Sequence, residues 1–125
     1  MKITPVLVVP AIEPVLPLWE ALGFTRTVEV PHGEALGFVS LTRDGAEVMF
    51  QTEASVLADE PKVTQGPRPL GASSLFVQVE DLDAAVAKLP EGTDVFVERR
   101  TTFYGATETF LRDAAGNVII LAQFG

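Results

Sequence analysis

One imidazole, His32, and no cysteine at all set narrow limits on the chemistry open to this 125-residue chain. Without Cys there are no disulfides, thiolate metal sites or sulfur nucleophiles. With one His, no site that needs two imidazoles can be built, and His32 itself stands in Pro31-His32-Gly33, which reads as a solvated turn. Ser74 would need a base to act as a nucleophile, and the candidate is a carboxylate such as Glu47. Asp and Glu total 17 against 9 Lys and Arg, so carboxylates abound, yet no spacing fixes two of them face to face for acid–base work. Gly105 and Gly116 read as turn glycines, and no phosphate-cradling loop is visible. The net charge of -8 repels nucleic acid and anionic membranes and would draw in a cationic ligand.

The elements that must position any site follow from the apolar pattern. A mass of 13.4 kDa is one ordinary domain, and 47% hydrophobic residues suffice to close a core. Residues 3–9 are apolar and β-branched, which predicts a strand buried on both faces. Val15, Leu18, Trp19 and Leu22 share one helix face, Pro14 fits the first turn, and Gly23 is placed to end the helix. Strands are expected over 25–30, 36–42 and 46–51, the first pair broken at Pro31-His32-Gly33 and the second joined by Arg43-Asp44-Gly45. Residues 52–72 hold Pro61, Gly66, Pro67, Pro69 and Gly71 without visible period, and read as a linker or lid loop. The pattern then restarts: a strand over 75–79, an N-cap at Asp81, and a helix face of Leu82, Ala85, Val86 and Leu89. Strands over 95–101, 107–112 and 118–123 complete it. The N-terminal residues lack the marks of a signal peptide, and no apolar run could span a bilayer, so a cytoplasmic location is expected.

Both halves read strand, helix, strand, strand, strand, with a period near 70. Leu7, Val9, Ile12 and Glu13 match Val77, Val79, Leu82 and Asp83. Thr42-Arg43-Asp44-Gly45 echoes Leu111-Arg112-Asp113 through Gly116. We read one domain, 1–125, built from a duplicated βαβββ module: module one 1–52, linker 53–72, module two 73–125.

Trp19-Glu20-Ala21-Leu22-Gly23-Phe24, and Tyr104-Gly105 followed by Glu108-Thr109-Phe110-Leu111-Arg112-Asp113 and Gly116-Asn117, resemble the signatures of the vicinal oxygen chelate superfamily. That superfamily includes glyoxalases, bleomycin-resistance proteins and extradiol dioxygenases. The resemblance implies an α+β fold in which two βαβββ modules form a curved, open barrel-like mixed sheet with helices outside, and it implies a homodimer. Its enzymes hold a divalent metal on inward strand positions, which carry over to Thr4, Met49, Ser74 and Ile120. None of these resembles a ligand for such a metal, so neither a metal nor any other cofactor is expected, and no catalytic residue is assigned. Alternation from those positions turns Glu47, Met49, Gln51, Ser74, Phe76 and Gln78 inward. The resemblance adds Tyr104, in the segment before the seventh strand where the family places rim residues, and Glu108, which matches a frequent residue of the family, giving eight candidate ligand-binding residues. The same parity sends Leu7, Val9, Val48, Phe50, Leu75, Val77, Val79, Ile119 and Leu121 to the helices. The inward set fits either a small-molecule pocket or a second core filled by Phe76, Met49 and Ile120. The expected function is metal-independent binding of a cationic or aromatic small molecule, as in the bleomycin-resistance branch. The alternative is a lyase, isomerase or dioxygenase with displaced metal ligands.

Overall fold

Leu7 and Val9 are buried, whereas Val6 and Val8 are 47% and 50% exposed. The first strand, β1 (Val6–Val9), therefore covers a core with one face and leaves the other bare; the expectation of burial on both faces is corrected. This alternation recurs throughout the fold. The computed structural model describes residues 2, 4–64 and 73–125, so Ile3 and the stretch 65–72 of the expected linker lie outside the described residues. The fold is α+β: two units, 1–71 and 72–125, each with an open, four-stranded mixed sheet.

In the first unit β1 leads through a 3₁₀ turn (Glu13–Val15) into α1 (Leu16–Ala21). Six residues cannot hold a helix alone in water. Burial of Val15, Leu18, Trp19 and Leu22, worth roughly 2 kcal/mol per side chain, holds it against the sheet. Trp19 meets Phe24 and Phe50 edge to face, at 5.0 and 5.9 Å between centroids. The helix ends at Gly23, with φ at +92°. A side chain there would be strained, and its Cβ would lie 2.5 Å from Arg43 Nη1. Glycine thus lets the Arg43 guanidinium reach in and donate to the Leu22 carbonyl at the helix C-terminus.

Strands β2 (Thr25–His32), β3 (Ala35–Arg43) and β4 (Ala46–Thr52) follow, in the spatial order β1-β4-β3-β2, with β1 parallel to β4 and the other pairs antiparallel. The break expected at Pro31 is not there. The strand runs on through His32 with a register shift at Val30/Pro31, and the turn falls at Gly33-Glu34. Because β2 is an edge strand, the missing Pro31 N–H costs no ladder bond. The expected loop after β4 is also corrected: α2 (Glu53–Asp59) forms, capped by Thr52, whose Oγ1 accepts from the Ser55 N–H at 3.1 Å.

The second unit repeats the plan. β5 (Ser74–Gln78), α3 (Leu82–Ala87), β6 (Asp94–Thr101), β7 (Ala106–Arg112) and β8 (Val118–Phe124) give the order β5-β8-β7-β6. Asp81 caps α3, its Oδ1 accepting from the Ala84 N–H at 3.0 Å. Gln123 Oε1 accepts from the Leu82 N–H at 2.7 Å. Gln123 shares its face of β8 with Ile119 and Leu121, both fully buried, so α3 covers that face. Ser74, Phe76, Gln78 and Ile120 belong to the other.

Candidate functional site

In the first unit Glu47, Met49 and Gln51 share the bare face of β4, beside Val6 and Val8 of β1 and Phe38 and Ser40 of β3. The polar groups among them are engaged. Glu47 Oε1 accepts from Lys2 Nζ at 2.8 Å and Oε2 from the Ser40 hydroxyl. These two donors, Lys2 foremost, hold the Glu47 carboxyl below the usual carboxylate range. A carboxylate so occupied is a poor general base. Gln51 Nε2 donates to Ser55 Oγ at 3.1 Å.

The second unit presents a different surface. The register lays three rows across its bare face: Ser74–Val118–Arg112–Asp94, Phe76–Ile120–Phe110 next to β6, and Gln78–Ala122–Glu108–Arg100. At about 4.8 Å between strands each row spans roughly 15 Å. Glu108 is fully buried. Its Oε1 accepts from Arg100 Nε and Nη2, both at 2.9 Å, and its Oε2 accepts from the Tyr104 hydroxyl. Its own hydrogen bond to Glu108 is the main cause that pushes the Tyr104 phenol above its usual value, and the Arg100–Glu108 bond is the main cause that raises Arg100.

Rings surround this cluster. Phe76 and Phe124 lie 6.3 Å apart, as do Phe124 and Tyr104, and Phe103 meets Tyr104 edge to face. On the other side Phe96 meets Phe110 edge to face at 5.9 Å. Arg100 sits over Phe110 with Cζ 4.4 Å from the ring centroid, and Arg112 over Phe96 at 3.8 Å. Phe76, Phe96, Phe124 and Tyr104 are each 40% or more exposed. A shallow depression lined by Gln78, Val79, Glu80 and Phe124 opens beside them.

Of the eight residues singled out from sequence, Phe76, Tyr104 and Glu108 join one connected cluster. Gln78 borders it, and Ser74 stands exposed on the neighbouring row. Glu47, Met49 and Gln51 belong to the separate face of the first unit. Sequence reasoning missed Arg100, Phe96, Phe110, Arg112 and Phe124 as members. The available signal was the alternation Glu108, Phe110, Arg112, which puts three chemically active side chains on one face of β7.

The positions where relatives hold a metal do not fit one. Val6 pairs with Met49 and Phe76 with Ile120, so β4 and β8 offer a thioether and a hydrocarbon. Thr4 and Ser74 add neutral hydroxyls, which are weak ligands. Among the described residues no three His, Cys, Asp or Glu side chains gather where they could hold a metal ion. His32 is exposed at the end of β2. The Asp113–Asn117 motif is structural: Asp113 Oδ1 accepts from the Ala115 and Asn117 N–H groups at 2.9 and 2.8 Å. Asn117 Oδ1 in turn accepts from the Ser73 N–H at 3.1 Å.

A twice-repeated βαβββ unit, each with an open four-stranded mixed sheet whose one face carries the helix and whose other is bare, defines the architectural class of the chain. The profile of the glyoxalase/bleomycin resistance protein/dioxygenase superfamily matches residues 5–121, and the chain belongs to that superfamily. A search of curated proteins finds no match. Among solved structures, TioX from Micromonospora sp. ML1 is similar, with TM-score 0.77, 18% identity, and coverage of 100% of this chain and 99% of that one. A glyoxalase/bleomycin resistance protein/dioxygenase family enzyme from Burkholderia phytofirmans PsJN gives TM-score 0.71 at 14% identity, covering 98% and 97%. The bleomycin resistance determinant encoded on the transposon Tn5 gives TM-score 0.65 at 19% identity, covering 99% and 98%. At these identities the likeness is one of fold.

Proposed function

We propose that this protein is a metal-independent binder of planar aromatic small molecules, acting by sequestration, with its site on the aromatic face of the second unit. One observation carries the reading: the exposed rings of Phe76, Phe96, Phe103, Tyr104 and Phe124 gather in the second unit, near a fully buried carboxylate that Arg100 and Tyr104 already satisfy. Exposed rings in this number on one sheet face need a partner. A fully satisfied buried carboxylate gives the face rigidity, not reactivity. The residues at Thr4, Met49, Ser74 and Ile120 support independence from metal, and the Tn5 bleomycin resistance determinant supports a drug-like ligand. Of the two ligand properties expected from sequence, aromaticity has the stronger local support, because Arg100 and Arg112 balance Glu108 and Asp94 on this face. We also propose a homodimer: Val6, Val8, Val28 and Val30 on the first unit's bare face are each close to half exposed, and a second copy would cover them.

Titration calorimetry with bleomycin-class and simpler polycyclic aromatic compounds, in chelator-treated buffer, tests the binding. Expected is saturable binding that persists without divalent metal and weakens about three- to tenfold in Phe76→Ala, the worth of one ring contact. Absence of binding across the panel, or binding that returns only with added metal, refutes the reading.

A further inference from the structure

The two arginines on the aromatic face are not equivalent, and the difference points to a ligand chemistry. Arg100 is committed: two of its nitrogens hold the same oxygen of a fully buried carboxylate. Arg112 is not. Its acidic contact is Asp94, with Nη1 at 3.5 Å from Oδ2, between side chains 44% and 62% exposed. Such a pair contributes little and is easily exchanged. Nε and Nη2 of Arg112 make no hydrogen bond among the described residues. At the same time the guanidinium is oriented, because it lies over the Phe96 ring at 3.8 Å. An oriented planar fork with unused donors matches a carboxylate. The register places Arg112 one row from the Phe76–Ile120–Phe110 line.

We propose that the ligand is a planar aromatic acid: its rings lie along the Phe76–Ile120–Phe110 row and its carboxylate takes the free donors of Arg112. The inference rests on the aromatic site argued above and adds the sign of the ligand's charge. The net charge of -8 opposes it only at long range. Beyond roughly 8 Å physiological salt screens that field, whereas the Arg112 contact acts at hydrogen-bond distance.

The test uses the full chain and three probes of one shape: 2-naphthoate, 2-naphthalenemethanol and 2-naphthylmethylamine, titrated by calorimetry at 0.15 M salt. Expected is that the acid binds about tenfold tighter than the alcohol, the worth of one charge-assisted hydrogen bond, and that the amine binds most weakly. In Arg112→Gln the roughly tenfold preference for the acid over the alcohol should disappear, both being measured on the same variant. Arg112→Lys, which keeps charge but not the planar fork, should retain part of the preference. Circular dichroism of each variant confirms its fold. Equal binding of the three probes, preference for the amine, or an acid preference that survives Arg112→Gln overturns the charge assignment while leaving the aromatic site standing. Failure of all three to bind overturns the aromatic site itself.

Discussion

Arg100 and Glu108 share the same hydrogen bonds, yet their substitutions should cost very different amounts. Glu108 is fully buried, whereas the Arg100 side chain is half exposed. In Glu108→Gln the freed guanidinium meets water, and the Gln oxygen can still accept from it. The loss is the charged part of the interaction, about 1 kcal/mol. In Arg100→Gln a desolvated carboxylate keeps, among the described residues, the Tyr104 hydroxyl as its strong donor. An uncompensated buried charge costs about 3 kcal/mol; we take the low end of the range because a shorter side chain opens a path for water. The double variant has neither the buried charge nor its cation, so it should resemble Glu108→Gln.

Thermal unfolding followed by circular dichroism at pH 7 reads all three. For a chain of this length about 1 kcal/mol corresponds to about 4 °C in Tm. Expected are losses of about 4 °C for Glu108→Gln, about 12 °C for Arg100→Gln, and about 4 °C for the pair together. The second substitution then rescues the first, a coupling that only a shared interaction produces. If Glu108→Gln is the more damaging change, or the double variant loses the sum of the singles, Glu108 does not depend on Arg100 as its cation.

Two further outcomes follow from the geometry. Tyr104 is the single tyrosine of the chain, so tyrosinate absorbance titrates it alone; its folded pKa should lie above the unfolded value near 10 and move back toward that value in Glu108→Gln. Because the folded pKa is the higher one, its contribution to stability is complete below the unfolded pKa and is lost as pH rises through the folded value; a midpoint at or below 10 contradicts the Tyr104–Glu108 bond. Gly23→Ala should cost about 1–2 kcal/mol, more than Gly116→Ala, since both glycines have positive φ but only Gly23 has a guanidinium where the Cβ would go; equal melting losses would mean that Arg43 does not cap α1.

The repeat, the strand alternation along β4, β5 and β8, the Asp81 cap and the turns at Asp44-Gly45 and Asp113–Asn117 were legible in sequence because each rests on local chemistry or on a recurring pattern. The helix α2 was not. Its buried side chain is Val56, Leu57 points to solvent, and seven residues give no apolar stripe to count. Its start signal, Thr52, is also the last residue of a strand. Parity along β4, β5 and β8 separated Phe76 and Met49 from the helix-covered faces, and of the candidate cluster Phe76, Tyr104 and Glu108 were among the residues singled out from sequence. Arg100 was out of reach for a specific reason. Counting back from the Asp94–Arg112 pair without interruption sets Arg100 opposite Ala106. Two register shifts in β6 set it opposite Glu108 instead. A bulge is a tertiary decision that no alternation reveals.

The two units show where function is free to vary in this fold. Matching positions on the helix-covered faces keep apolar volume: Leu41 and Leu111, Val48 and Ile119, Phe50 and Leu121 are all buried. Packing density allows little else there. The bare faces obey no such rule. Where the first unit has Phe38, Ser40 and Thr42 on β3, the second has Glu108, Phe110 and Arg112 on β7. The carboxylate has changed strands too, from Glu47 on β4 to Glu108 on β7, and its donors change with it from Lys2 and Ser40 to Arg100 and Tyr104. One face carries Val6, Val8, Val28 and Val30 beside uncharged and acidic side chains, and the other aromatic rings and guanidinium groups, on the same backbone plan. The chemical difference between the two faces therefore lies in the residues where the repeats disagree, and the proposed site is drawn from those on β6, β7 and the turn before β7.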